Sequence, residues 1–483
     1  MRVLEKCEPK KVFEFFEDIC AIPHGSGNTK MISDYLVSFA KERSLEYIQD
    51  EINNVIIKKE ASAGYENAPT VILQGHIDMV CAKKEDCTID FEKDPLTVKI
   101  DGDWIYAEGT SLGGDNGSAV AMALAILDDD SLKHPKIEAV FTVDEETGMY
   151  GAEALDFSNL EGRWLLNMDS EDDREITVSC AGGVRTDCIL PLTKEEKKGE
   201  KCTITIDGLL GGHSGIEINK GRANANKLMG RLLYAISKEV PFGVADIRGG
   251  VVENAIALKA EADILVSRDD KAKLCALVSE FDLVCKNEYA KDDPGVSVRA
   301  DFYGEKNLFV ADEKTTENMI FLLISLPNGV FAMSSDFPGV TQTSLNMGVV
   351  SMSDSEMRVA FSVRSSIATQ KYMLKDQLRL ITERAGGRVE FHGEYPAWEY
   401  KRNSPLRSVV LKSYVDVFGT EPKIAATHGG LECGLFSGKV DDLDCVSYGP
   451  NMVDVHTPLE KLSISSTEKI YKLTLAILEN CKA

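Results

Sequence analysis

Residues 70–78 read TVILQGHID: a short apolar run, then a glycine, a histidine and an aspartate. The run is compact enough for a strand, and side chains alternate in direction along a strand, so His76 and Asp78 project to the same side. Working outward, similar runs stand at 54–57, 137–143 and 164–168, and an Ala-rich helical stretch lies between two of them at 116–127. Upstream, Val12, Phe15, Phe16 and Ile19 share one helical face, and Met31, Tyr35, Leu36 and Phe39 share another. Helices alternating with short strands predict an α/β domain around a central, mainly parallel sheet, with sites forming at the carboxyl ends of its strands.

The texture changes near residue 184. Strand 203–206, helix 222–237, strands 251–258 and 260–266, helix 271–289 and strand 296–302 are expected there. The order then recurs as helix 316–325, strands 344–350 and 357–363, helix 371–385 and strand 388–391. ENAIALKAEADILVSR and TSLNMGVVSMSDSEMRVAFSVR occupy the same place in the two halves. This predicts an inserted α+β lid domain with a duplicated β-α-β-β-α-β unit. Helix 404–418, strands 423–426 and 444–448 and helix 467–481 return to the first texture. The catalytic domain is therefore expected to be discontinuous, with parts at 1–183 and 399–483 around a lid at 184–398.

The chain has 483 residues, too many for one ordinary hydrophobic core. Its formal charge of −24 argues against nucleic acid, whose binding depends on neutralising phosphates with Lys and Arg. No run of roughly 18 apolar residues predicts a membrane span. MRVLEKCEPKKVFEFFEDIC lacks the pattern of a secretory signal, and the twelve cysteines contain no CxxC pair. A cytoplasmic protein with reduced thiols is the expectation.

Five segments carry acids or histidine just past expected strands: GHID at 75–78, GGDNGS at 113–118, DEETG at 144–148, NMDS at 167–170 and DVHTP at 454–458. Taken singly, each has an ordinary explanation. An HxD is common structure, Glu145 and Glu146 read as an exposed acidic pair, and GGDNGS reads as a Gly-rich turn with an N-capping Asp. Together they offer two histidines, several carboxylates and no cysteine, a ligand field suited to zinc, manganese or cobalt. Two such ions close together need a bridging carboxylate and can activate a water while polarising a carbonyl.

With GGHSG at 211–215 and HGGLECG at 428–434, these segments form seven ordered motifs over about residues 20–460. The sequence resembles the aminoacyl-histidine dipeptidases (peptidase D, Xaa-His dipeptidases), within the aminoacylase and carboxypeptidase-like di-zinc peptidases. The resemblance implies hydrolysis of dipeptides, preferentially Xaa-His, using two divalent ions per chain, Zn2+ above Co2+ or Mn2+. It assigns His76 and Asp169 to one ion, Glu146 and His456 to the other, and Asp115 as the bridge. Glu145 becomes the general base, Asp78 the group orienting His76, and His213 the oxyanion donor. Asn254 and Arg364 would bind the substrate's carboxylate end, and Gly430 would contribute backbone hydrogen bonds. The resemblance also implies a cis peptide bond between Asp115 and Asn116.

Bland readings stand beside the lid assignments: GGHSG as a polar loop, Arg364 as a surface ion pair. An N-acyl amino-acid deacylase or carboxypeptidase could use the same metal site, since fold and metal do not fix the acyl group. A non-catalytic scaffold would not need Glu145, which is present. His134 is expected in a solvated loop, His24 and His392 receive no role, and His428 and Glu432 are read as pocket-wall support. The partners expected are small dipeptides, with neither nucleic acid nor membrane; a single chain and a homodimer both stay open.

Overall fold

The computed structural model describes residues 2–482. The chain forms two compact units. The first takes residues up to Cys180, Tyr400–Ala426 and the chain from Leu431 onward; the second takes Ala181–Glu399 and Thr427–Gly430.

The first unit is organised by an eight-stranded sheet. In order across it lie Glu46–Gln49, Val55–Lys59, Ile137–Thr142, Val71–His76, Trp164–Asn167, Asp444–Ser447, Glu175–Cys180 and Lys423–Thr427. The strand that contains the opening run, Val71–His76, pairs in parallel with Ile137–Thr142 on one side and Trp164–Asn167 on the other. Asp444–Ser447 extends the parallel set, whereas Val55–Lys59 and Glu46–Gln49 join antiparallel. Val71–His76 and Ile137–Thr142 are buried at every residue, as strands covered on both faces must be.

The helix Gly114–Asp128 lies against Val71–His76, and its Ala-rich composition allows a close approach. Gly75 marks the contact: a Cβ there would stand 2.4 Å from Asn116 Oδ1 and 2.9 Å from the Ala119 Cβ. The Asp115–Asn116 peptide is cis. A small four-stranded sheet of Met452–Val453, Lys461–Ser463, Trp104–Ala107 and Val98–Asp101 brings the DVHTP segment and the GGDNGS loop into one unit with the large sheet. Met31, assigned to the buried face of helix Lys30–Glu42, is instead 44% exposed; Ile32, Leu36 and Phe39 form that face. His134, expected in solvent, is 2% exposed, and its Nδ1 lies 2.8 Å from the Pro135 carbonyl oxygen. The loop folds inward there because Ser62 takes both backbone groups of His134.

In the second unit a nine-stranded sheet consists of two similar halves. One runs Ser297–Ala311, Lys194–Asp207, Ala260–Val266, Phe242–Gly249; the other runs Arg388–Tyr395, Gly182–Pro191, Glu356–Ser365, Thr341–Met352. The halves meet at Gly249 opposite Val350, and Gly329–Met333 adds to Thr341–Met352. The second half draws its first strand, Gly182–Pro191, from ahead of the entire first half. Helices Ala225–Ser237 and Glu313–Ser325 close a core that includes Ile204, Leu232, Ile264, Leu322 and Phe361. The strand expected at 251–258 is a loop, and the strand is Phe242–Gly249. Gly250 (φ +71°) ends it, since a Cβ there would lie 1.7 Å from the Gly348 carbonyl oxygen.

Candidate active site

At the carboxyl ends of the three adjacent parallel strands, and at the two loops beside them, His76, Asp115, Glu145, Glu146, Asp169 and His456 come together in the first unit. His76, the last residue of its strand, has Nε2 3.1 Å from Asp115 Oδ1 and 3.7 Å from Asp169 Oδ1. His456 has Nε2 3.2 Å from Asp115 Oδ2 and 2.9 Å from Glu146 Oε1. One carboxylate thus joins two imidazole-carboxylate halves, each through a different oxygen. Ligand atoms of His76, Asp115 and Glu146 lie within 4.8 Å of one another, close enough to share a cation.

Asp78 organises this cluster from behind. Its backbone carbonyl oxygen lies 3.0 Å from His76 Nδ1 and its Oδ1 3.4 Å from the same atom. Its carboxylate also accepts from the backbone N–H groups of Glu145 (3.1 Å) and Glu146 (3.4 Å) and from Ser26 Oγ (2.8 Å). With Nδ1 so held, His76 presents Nε2 to the cluster, the arrangement by which second partners orient metal-bound imidazoles. His456 lies in a loop where Asp454 and His456 both take positive φ, 52° and 63°.

The electrostatics test whether a cation fits. Burial, then the nearby charge of Asp169, raises the Glu145 carboxyl well above its usual range, against the pull of His76. Burial followed by the charge of Asp115 raises Asp169. Hydrogen bonds to Asp115 and Glu146 drive His456 up to about 11. Among the described residues no Lys or Arg pairs with Asp115, Glu146 or Asp169, so only the imidazoles offset their charge. Crowded, buried carboxylates with nitrogen donors and no fixed cation are the donor set that hard-to-borderline divalent ions favour.

Residues to which the motifs assigned no role in the site support the same cluster. Glu460 accepts the backbone N–H groups of Leu112 (2.8 Å), Gly113 (3.2 Å) and Gly114 (2.8 Å), fixing the turn that leads into Asp115. Asn116 Nδ2 donates to the Met168 carbonyl oxygen at 2.9 Å, tying that turn to the strand before Asp169. Glu171, raised by burial and then by Asp115, belongs to the same acidic neighbourhood. Its position two residues after Asp169 was the only sequence signal for it; Ser26 and Glu460 had none.

In the second unit His213 and His428 lie near the Arg364 guanidinium. His213 Nδ1 accepts the N–H groups of Gly215 (3.3 Å) and Ile216 (3.4 Å), which leaves the proton of the neutral ring on Nε2. Burial, then Arg364, lowers the pKa of His213. Among the described residues Arg364 is in no surface ion pair and its Nε has no hydrogen-bond partner: the side chain is half-buried, and Nη1 donates to the Tyr395 hydroxyl at 3.3 Å. Tyr395 also packs on Gly430, where a Cβ would come within 3.0 Å of the ring. His428 is 4% exposed with Nε2 2.7 Å from Ser344 Oγ, and burial, then Arg364, pushes it down to about 3. Asn254 is exposed, and its carbonyl oxygen accepts the Ser214 N–H at 2.8 Å.

Residues 72–480 match the family described as Peptidase family M20/M25/M40. The chain belongs to this family. Among its members, the chain is 38% identical to the cytosol non-specific dipeptidase of Escherichia coli (strain K12), with all of both chains covered. It is also similar to the crystal structure of the aminoacylhistidine dipeptidase from Vibrio alginolyticus, with 36% identity, a TM-score of 0.91 and 99% and 97% of the two chains covered. The aminopeptidase PepT from Bacillus cereus shares the fold at 15% identity, with a TM-score of 0.56 and 98% and 99% coverage.

Proposed function

We propose that this M20 peptidase is a cytoplasmic dipeptidase that holds two divalent ions, zinc above cobalt or manganese, and prefers a carboxyl-terminal histidine in its substrate. The observation that carries the reading is the Asp115 carboxylate, whose two oxygens each serve a separate histidine-carboxylate half. His76 and Asp169 would hold one ion and Glu146 and His456 the other, with Asp115 shared between the two halves. Bound there, the ions would supply Lewis acidity to a scissile carbonyl and lower the pKa of a water.

The remaining steps belong to the chain's own side chains. Glu145, whose carboxyl burial raises above its usual range, takes the proton of the attacking water and delivers it to the leaving amine. Asp78 keeps the His76 ring oriented. The second unit, the lid, supplies His213, whose Nε2 proton is available to an oxyanion. Arg364 grips the free carboxylate of the substrate with its planar guanidinium and, together with Asn254 and the backbone at Gly430, measures one residue beyond the scissile bond. The names of the two similar dipeptidases support the substrate class, and that of the Vibrio enzyme supports the histidine preference.

Rates on Ala-His, β-Ala-His, Ala-Leu, Ala-Ala-His and N-acetyl-His test both parts. The dipeptides should be cleaved and the tripeptide and acyl compound left nearly intact, with Ala-His ahead of Ala-Leu. Faster cleavage of the tripeptide would defeat the length argument. Equal rates on Ala-His and Ala-Leu would leave a broad dipeptidase.

A further inference from the structure

Just beneath the ends of the three metal-bearing strands lie four buried polar side chains that the reaction above does not use. Gln74 stands opposite Asn167 across one strand pair, and His76 stands opposite Thr142 across the next. Gln74 and Asn167 are thus one pleat behind His76 and Asp169, and Thr142 ends the strand that leads to Glu145 and Glu146. Asn167 Nδ2 donates to Gln74 Oε1 (2.5 Å), and Gln74 Nε2 donates to Glu432 Oε2 (2.5 Å). The Thr142 hydroxyl donates to the same carboxylate oxygen at 2.7 Å. None of the four is more than 1% exposed.

An ionised carboxylate only accepts, so Glu432 ends both donor chains and fixes the direction of each amide in them. It begins the helix Glu432–Lys439, outside the sheet, and so ties all three strands to one external point. Its Oε1 has no hydrogen-bond partner among the described residues, and burial raises the carboxyl to about 7. An apolar residue would avoid that desolvation penalty.

We propose that Glu432 is a positioning residue for the metal centre: through Gln74, Asn167 and Thr142 it fixes the relative height of the strand ends that carry His76, Glu145–Glu146 and Asp169. This inference rests on the metal-dependent reading above. Glu432→Leu removes the acceptor, whereas Glu432→Gln keeps a carbonyl oxygen for both donors, removes the charge and puts an amide nitrogen at the Oε1 position. Zn2+ affinity by chelator competition and the visible absorption of the Co2+-loaded protein report on the site without turnover. Glu432→Leu should weaken Zn2+ binding roughly 10–100-fold and shift the Co2+ spectrum, the usual scale for losing an orienting partner. It should also lower kcat on Ala-His more than it raises KM, and Glu432→Gln should recover most of both.

Wild-type Zn2+ affinity and an unchanged Co2+ spectrum in Glu432→Leu would overturn the proposal, as would Glu432→Gln binding Zn2+ as weakly as Glu432→Leu. If the leucine variant does not fold, Thr142→Val removes one donor at nearly constant shape. It should then weaken Zn2+ several-fold, and unaltered affinity would overturn the proposal equally. A wild-type chain that bound no Zn2+ and cleaved no dipeptide would instead remove the underlying reading, an outcome separate from any behaviour of the Glu432 variants.

Discussion

Asp115 and Glu145 carry different burdens, and single substitutions separate them. Among the described residues Asp115 is the one side chain with an oxygen in each half of the cluster, so Asp115→Ala should lower metal content below two ions per chain and abolish turnover. Retention of both ions, measured by elemental analysis after desalting, would refute the bridging assignment. Glu145→Gln should keep both ions, because its backbone stays anchored on Asp78, yet lose roughly 10²–10⁴-fold in kcat for want of a proton acceptor. A near-normal rate would shift the base to another group. At this scale the cluster of acids and histidines was legible because its members sit in short motifs at strand ends. The residues behind them were silent: Glu460 and Ser26 act through tertiary contacts 346 and 52 positions away in sequence, a distance at which no local pattern survives.

Among elements, the turn 112–114 shows how one acid sets a loop. Three backbone N–H groups point at Glu460, and all are buried. Glu460→Ala leaves them without an acceptor, at roughly 1–3 kcal/mol for an unsatisfied buried group, so the melting temperature should fall by about 5 °C or more and Zn2+ binding should weaken with it. Unchanged melting and affinity would show that the turn holds itself. The strands that the sequence revealed most clearly, Val71–His76 and Ile137–Thr142, are those buried on both faces, where the short apolar runs 71–73 and 139–141 stand out from their polar flanks. Where the prediction failed, at 251–258, an apolar stretch sits on an exposed loop: Val251 is 89% exposed. Its neighbour Phe242–Gly249 alternates with Asp246 and Arg248, which pair with each other at its surface and hide the strand behind a polar composition.

For the molecule as a whole, one group through which pH acts on stability is the buried His428 of the second unit. His428 is pushed by burial from an ordinary 6.5 down to about 3, so it remains neutral when folded while the unfolded chain takes up a proton near 6.5. Unfolding therefore binds one more proton across that window, and stability falls as pH falls from about 6.5 toward 3, by up to about 1.4 kcal/mol per unit. His428→Gln should flatten the acid limb by one proton in urea titrations between pH 6.5 and 4; an unaltered slope would mean that the ring is protonated in the folded unit. The strand order of that unit bears on how it is made. Gly182–Pro191 leaves the ribosome before any of its partners, and both of them, Glu356–Ser365 and Arg388–Tyr395, are synthesised only after the other half of the sheet. While translation proceeds, one half can close on itself as the orphan strand waits with both edges unpaired. Such long-range closure is slow and leaves the nascent chain open to wrong pairings, so holding chaperones have most to do in the interval before residue 395 is added.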